Sequence, residues 1–307
     1  MGKKSLAYQA KKELAETEIP YSKTREQYMR NITKFTDFCK REYGYKTLAE
    51  CKHLECAQQY ADCLSENGYT AATIHTYLAP VCRWLGINMK EVEKPIRYVA
   101  EYKRSRGTPK VDLRADAQPS YSPRLYAFAK VVGIRRNEYK QLRNGNFKKD
   151  ENGDWCVEVE KGKGGKHHLQ RIAPEEVEFV RGYFSRVKPN EYVFTLDELN
   201  NKLDLHALRA AVAKEHYNRY VELFKTDETA RRRVYDEICL RWKLYNGSPA
   251  PTWKEVNRPY YCRGKNKEKA IASGYNNKLD RLALLAVSVF QLSHWRTDDT
   301  VCSYVLA

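Results

Sequence analysis

Apolar residues recur at helical spacing through the first third of the chain. Tyr28, Ile32, Phe35 and Phe38 follow Thr24 and Gln27, a cap-and-box pair that predicts a helix start, and Gly44 ends the run. Leu54, Ala57, Tyr60, Ala61 and Leu64 predict a second helix over about 49–66, with Gly68 behind it. Thr70 predicts the cap of a third, which carries Ile74, Leu78, Val81 and Leu85 and closes at Gly86. A short fourth helix is expected around 90–100. Residues 1–20 are polar and Lys-bearing and read as an N-terminal arm of weak local structure.

The pattern changes beyond Pro119. Pro123 suits the first turn of a helix carrying Leu125, Phe128, Ala129 and Val132, and Gly133 opens a turn into another helix. Residues 146–149, 155–160 and 167–172 read as strands, since Trp155, Val157 and Val159 alternate and Asn152-Gly153 supplies a hairpin turn. The Gly-rich run Lys161–Lys166 supplies the second turn. From Pro174 the period is helical again, over 174–187, 197–224, 227–244 and 279–293. The expected fold class is α+β, mostly α. It comprises a helical domain over 21–97, a basic linker over 98–112 and a second domain over 113–307, built of helices and a small three-stranded antiparallel sheet.

Charge adds a partner to this picture. The 307 residues hold 55 Lys and Arg against 39 Asp and Glu, a net +16, and 20 basic against 13 acidic residues fall by Lys110, so both parts are cationic. A polyanion held from two sides is the expected partner, double-stranded DNA above all; a basic surface serving only solubility is the alternative. No apolar run is long enough for a membrane span, and no apolar stretch follows the basic N-terminus, so neither a span nor a secretory signal is expected. Nine cysteines without a CxxC pair suggest a reducing, cytoplasmic setting. Cys51, His53, Cys56 and Cys63 do not match a common zinc spacing, and Cys56 and Cys63 share a helix face, so they read as small buried hydrophobes and no metal is expected.

The candidate chemistry lies in a series of polar residues. Arg135 sits at a helix start, Lys163 on a Gly-rich hairpin, His206 and Arg209 one turn apart on a helix, His294 at the end of an apolar helix, and Tyr304 ten residues further on. Each alone is weak. In this order, with Gly133-Ile134-Arg135-Arg136-Asn137-Glu138, Gly162-Lys163-Gly164-Gly165-Lys166, His206-Ala207-Leu208-Arg209 and Leu292-Ser293-His294 before Tyr304-Val305-Leu306, the sequence resembles the tyrosine recombinase (phage integrase) family, in particular its mobile-element integrases. The helical unit over 21–97 also looks like that family's core-binding DNA domain.

Breaking a phosphodiester with protein groups alone needs a nucleophile, cations on the two non-bridging oxygens and a proton for the leaving sugar oxygen. Paired guanidinium forks suit those oxygens. The resemblance implies Tyr304 as the nucleophile, giving a 3′-phosphotyrosyl link, with Arg135 and Arg209 on the phosphate. It implies that Lys163 protonates the leaving oxygen, His206 moves a proton with Tyr304 and His294 donates to the phosphate. Glu138 is expected to orient Arg135, and Trp295 to share the phosphate contact of His294. Lys103, Arg104, Arg106, Arg136 and Lys166 are expected DNA contacts. Lys161 and Lys166 compete with Lys163, and Tyr260, Tyr261 and Tyr275 with Tyr304. No cofactor is needed, because exchange conserves bond energy.

Strand exchange by a homo-tetramer on two core sites, for integration, excision or inversion, is the implied function, with an accessory DNA-bending or directionality factor open and a nucleoid-associated location in a bacterium or mobile element. A type IB topoisomerase, a telomere resolvase and a DNA-binding protein without catalysis are the alternatives. Three features depart from the family pattern. Ser293 replaces its glycine. A segment over about 215–278 is extra, as added DNA- or protomer-contacting surface or as a solvated insertion. The three residues after Tyr304 imply a short segment exchange between protomers, use of another element, or further chain.

Overall fold

The computed structural model describes residues 5–17, 19, 22–97, 122–200 and 203–306. It is mostly helical with one three-stranded antiparallel sheet. The chain divides into two compact units, over 1–102 and 103–307. The expected linker and its Lys103, Arg104 and Arg106 lie outside the described residues.

In the first unit, α1 (Leu6–Ala15), α2 (Ser22–Tyr43), α4 (Leu54–Glu66) and α5 (Ala71–Leu85) enclose one core, with α3 (Leu48–Cys51) beside them. The N-terminal residues are not the weak arm expected. α1 is capped by Ser5, and its Ala10 and Leu14 are fully buried. Glu13 on α1 accepts from Trp84 Nε1 at 2.8 Å and pairs with Lys52 at 2.7 Å. The sequence signal was faint because this interface rests on few apolar side chains. α2 starts at Ser22, which places Thr24 inside its first turn and not at the cap. The expected 49–66 helix breaks at Lys52–His53, and α3 before the break is a separate turn opened by the capping box of Thr47 and Glu50. Of the expected fourth helix a 3₁₀ turn over Met89–Glu91 forms. Phe35 anchors the core, edge-on to Tyr60 at 5.4 Å and Trp84 at 6.2 Å. Burying such a ring is worth about 1.5–3 kcal/mol. Cys51 and Cys56 are buried in this core and Cys63 packs against it.

In the second unit, Ser122 caps α6 (Pro123–Ala129), and α7 (Arg136–Tyr139) follows the Gly133 turn. Strands β1 (Phe147–Lys149), β2 (Trp155–Val159) and β3 (His168–Arg171) pair in the order β1-β2-β3, with Phe147 opposite Val157 and Val159 opposite His168. Gly153 takes the left-handed conformation its turn requires, φ +85°. One core joins this sheet to α6 and α8 (Val177–Phe184); α9 (Leu196–Leu199) lies at its edge. A second core joins α11 (Glu228–Tyr245), α14 (Arg281–Ala286) and the C-terminal segment. The long α10 (Leu205–Thr226) spans both: Leu205 and Leu208 belong to the first, Ala213 and Tyr217 to the second. The site lies where they meet.

The 215–278 segment is no solvated appendage. Arg231 on α11 donates to Asp280 at 2.6 Å and Asn257 at 3.0 Å. Arg241, 2% exposed, donates to Glu151 at 2.8 Å and the Leu169 carbonyl at 3.1 Å, and pairs with Asp150. α12 (Trp253–Val256), a short ribbon of β4 (Tyr260–Tyr261) and β5 (Lys278–Leu279), and α13 (Lys265–Ala272) complete it.

Candidate active site

The site begins with a glycine. A Cβ on Gly133 would sit 3.1 Å from Val212 Cβ and 3.2 Å from the Arg209 backbone, so any side chain here would push this turn a few tenths of an ångström off α10. The contact delivers the Gly133 carbonyl to Arg209 Nη1 at 2.8 Å. Two residues on, Arg135 begins α7, and Glu138 folds back onto it. The Glu138 carboxylate accepts from the Arg135 backbone N–H and from its Nη1, each at 2.7 Å. Glu138 is 2% exposed, and its Oε2 lies 3.8 Å from Arg209 Nη1. One buried carboxylate thus serves two guanidinium groups.

Arg209 is fully buried, and its Nη2 donates to the Leu292 carbonyl at 3.0 Å. Burial pushes its pKa down, the Tyr304 phenol and the Glu138 carboxylate oppose this, and Arg135 adds to it. An arginine stays charged through such a shift. Its Nε is buried without a partner, as is His294 Nε2.

Tyr304 completes the group. Its ring lies 5.7 Å from the Arg209 guanidinium carbon, 5.7 Å from the His294 ring and 6.0 Å, edge-on, from the His206 ring. It is carried by a π-helical turn over Val301–Val305 behind α15 (Thr297–Thr300) and is 7% exposed. His206 sits in the first turn of α10, fixed by Asp204, whose Oδ1 accepts from the N–H groups of His206 and Ala207. His294 follows a second π-helical stretch, Val287–Leu292, with its Nδ1 3.4 Å from Ser288 Oγ. It stands between Ser293 at φ +46° and Trp295 at φ +58°, both non-glycine residues in the left-handed region. Such strain clusters at functional sites. Burial, then Arg209 and Arg135, push the His294 pKa down to about 3, so the ring is neutral at pH 7 and has one N–H to donate.

The structure thus brings together Arg135, Glu138, His206, Arg209, His294 and Tyr304. Lys163 stands apart, exposed on the 3₁₀ turn Lys163–Gly165 and without a hydrogen bond or ion pair to this group. Its hairpin nevertheless touches the site. A Cβ on Gly162 would lie 2.9 Å from the Lys166 carbonyl and 3.2 Å from Glu138 Oε1, and Gln141 Nε2 donates to the Lys161 carbonyl at 2.9 Å. Lys166 is exposed at the end of the turn.

Two further expected residues are held by protein contacts. The half-buried Arg136 guanidinium donates to the carbonyls of Leu199 and Leu203, closing the end of α9. Trp295, also half-buried, packs edge-on against Trp242 of α11 at 5.2 Å. Sequence reasoning also missed His168. It lies on the same face of β3 as Gln170, opposite Val159, fully within the protein with both ring nitrogens unpartnered. Burial, then Arg209 and Arg135, hold its pKa well below the usual histidine range. The signal available was a polar residue at an inward position of an alternating strand.

No protein-family model matches the chain, and no curated protein matches it. Among solved structures it is similar to the crystal structure of XerA recombinase, at 15% identity over 68% of this chain and 84% of that one, with a TM-score of 0.25. A likeness this distant assigns neither a family nor an activity.

Proposed function

We propose that this chain is a DNA strand transferase of the recombinase kind, with Tyr304 as its nucleophile. The observation that carries the reading is the convergence of Tyr304 and two histidines, from two segments, on the buried Arg209 guanidinium, with Arg135 of a third segment joined to it through Glu138. In this reading the phenol oxygen attacks a scissile phosphorus and its proton passes to His206. The bond to the 5′ oxygen breaks, and Lys163 protonates that oxygen once the hairpin closes on the DNA. Arg135 and Arg209 neutralise the non-bridging oxygens, Glu138 holds both arginines in place, and neutral His294 donates a hydrogen bond. The unpartnered Arg209 Nε and His294 Nε2 are donors that a phosphate would satisfy. Tyr304 must swing outward for DNA to enter, since its ring covers the guanidinium. A partner strand's 5′ hydroxyl then reverses the attack. Four protomers on two sites, with both basic units on the DNA, complete the proposal.

The test is a library of nicked duplexes that trap a covalent intermediate. Wild-type protein forms an adduct that survives denaturation, and Tyr304→Phe binds without forming one. Binding without adduct by the wild type leaves a DNA-binding protein instead. Supercoil relaxation without exchange between two sites points to a topoisomerase.

A further inference from the structure

The ribbon β4/β5 and helix α13 lie outside the cluster just described. Tyr260 pairs with Leu279 and Tyr261 with Lys278, and the Cys262 N–H donates to the Asn277 carbonyl at 2.8 Å. Cys262, Ala270 and Leu279 are buried in the second core, so the ribbon is seated firmly. Its outer side is strongly basic: residues 258–278 hold six Lys and Arg and one acidic residue, Glu268. Arg258, Arg263, Lys267 and Lys278 are exposed, and among the described residues none of the four is in an ion pair. The arginines of α11 differ, because Arg231, Arg232 and Arg233 each face a carboxylate, on Asp280, Asp236 and Glu237. An aromatic is interleaved with the charges, Lys278 Nζ lying 5.6 Å over the ring of Tyr261, which is 53% exposed.

Two hydrogen bonds tie this ribbon and α13 to the segment that carries Tyr304. Tyr260 Oη donates to Asp298 Oδ1 at 2.8 Å, and Asn266 Nδ2 to Cys302 Sγ at 3.1 Å. Unpaired exposed cations beside a planar ring fit a nucleic-acid backbone. A bilayer fits poorly, since Ile271 is the one large apolar residue on α13 and the helix has no apolar face to insert.

We propose that Arg258, Arg263, Lys267 and Lys278 form a phosphate-backbone contact for double-stranded DNA, and that Tyr260 and Asn266 transmit docking there to the Tyr304 segment. The second half rests on Tyr304 being the nucleophile; the first does not.

The full chain is titrated with duplex DNA across a salt series. Two variants are compared, Arg258→Ala/Arg263→Ala/Lys267→Ala/Lys278→Ala and the milder Arg263→Gln/Lys267→Gln, both checked for unchanged thermal unfolding. The slope of log affinity against log salt becomes shallower by about 1 for each charge removed. Slopes equal to wild type in both variants overturn the contact, as does a wild type that ignores duplex DNA but binds anionic vesicles through these residues. Tyr260→Phe tests the link: adduct formation slows by about five-fold, the worth of one hydrogen bond, at unchanged affinity. An unchanged rate overturns the link. If the slopes fall as expected but the wild type forms no adduct, the contact stands while the reading of Tyr304, and the link with it, fails.

Discussion

Glu138 grips Arg135 twice, through the backbone N–H and through Nη1, both at 2.7 Å. Its free-energy role reaches further than that pair. Arg209 is fully buried with two neutral carbonyl partners, and among the described residues the carboxylate within ion-pair reach of it is that of Glu138. Removing one member of a buried ion pair costs about 3–5 kcal/mol, because the remaining charge is left uncompensated. Glu138→Ala is therefore expected to lose about that much in urea unfolding. Glu138→Gln, which keeps an acceptor for Arg135, is expected to lose less. An alanine variant within 1 kcal/mol of wild type contradicts the assignment.

Ser293 occupies a backbone conformation that costs a non-glycine residue about 1–2 kcal/mol, at φ +46°. Its hydroxyl donates to the Val289 carbonyl at 3.3 Å, a long bond that offsets little of this. Ser293→Gly relieves the strain and adds unfolded-state entropy worth about 0.5–1 kcal/mol, so the net gain lies between zero and about 1.5 kcal/mol. For a unit of this size the midpoint of thermal unfolding is expected to rise by about 2 °C. A fall in the midpoint shows that the serine side chain does more than the geometry assigns to it.

These two sites show where sequence was informative. The sheet was readable because β2 alternates and the Asn152-Gly153 turn sets its register against β1. Arg135, Glu138, His206 and Arg209 were each weak as single signals and drew notice only through their order along the chain; the contacts that join them are between distant segments. What escaped depends on contacts between distant segments. α1 is held by a buried Leu14 and a Glu13–Trp84 bond that no local pattern announces. The ring contact of Trp295 with Trp242, 53 positions earlier, is of the same distant kind. Arg231 belongs to a basic run that reads as surface, yet Asp280 turns it inward. The unpaired cations at Arg263 and Lys267 differ from that run only in the absence of such a partner, which a sequence cannot display.

Two buried histidines, His168 and His216, and the half-buried His294 give the protein a pH dependence of defined sign. Burial lowers the pKa of His168 well below its ordinary value, that of His216 to about 4 and that of His294 to about 3. Neighbouring arginines add to each shift. The unfolded chain binds a proton at each of these residues near pH 6.5, while the folded chain keeps them neutral. Folding stability is therefore whole above about pH 6.5 and declines as the pH drops toward the folded-state values. One pH unit below 6.5, each neutral histidine costs roughly 1.4 kcal/mol, so the three together cost roughly 4 kcal/mol. The carboxylates with lowered pKa, such as Asp150 and Glu158, release their share at more acid pH and do not enter this window. Urea unfolding at pH 7.5 and 5.5 is expected to show that difference. His216 lies outside the Tyr304 cluster, and His216→Gln is expected to remove about a third of the difference. Equal stability of the wild type at the two pH values means that at least the larger shifts are absent, and that water reaches these rings.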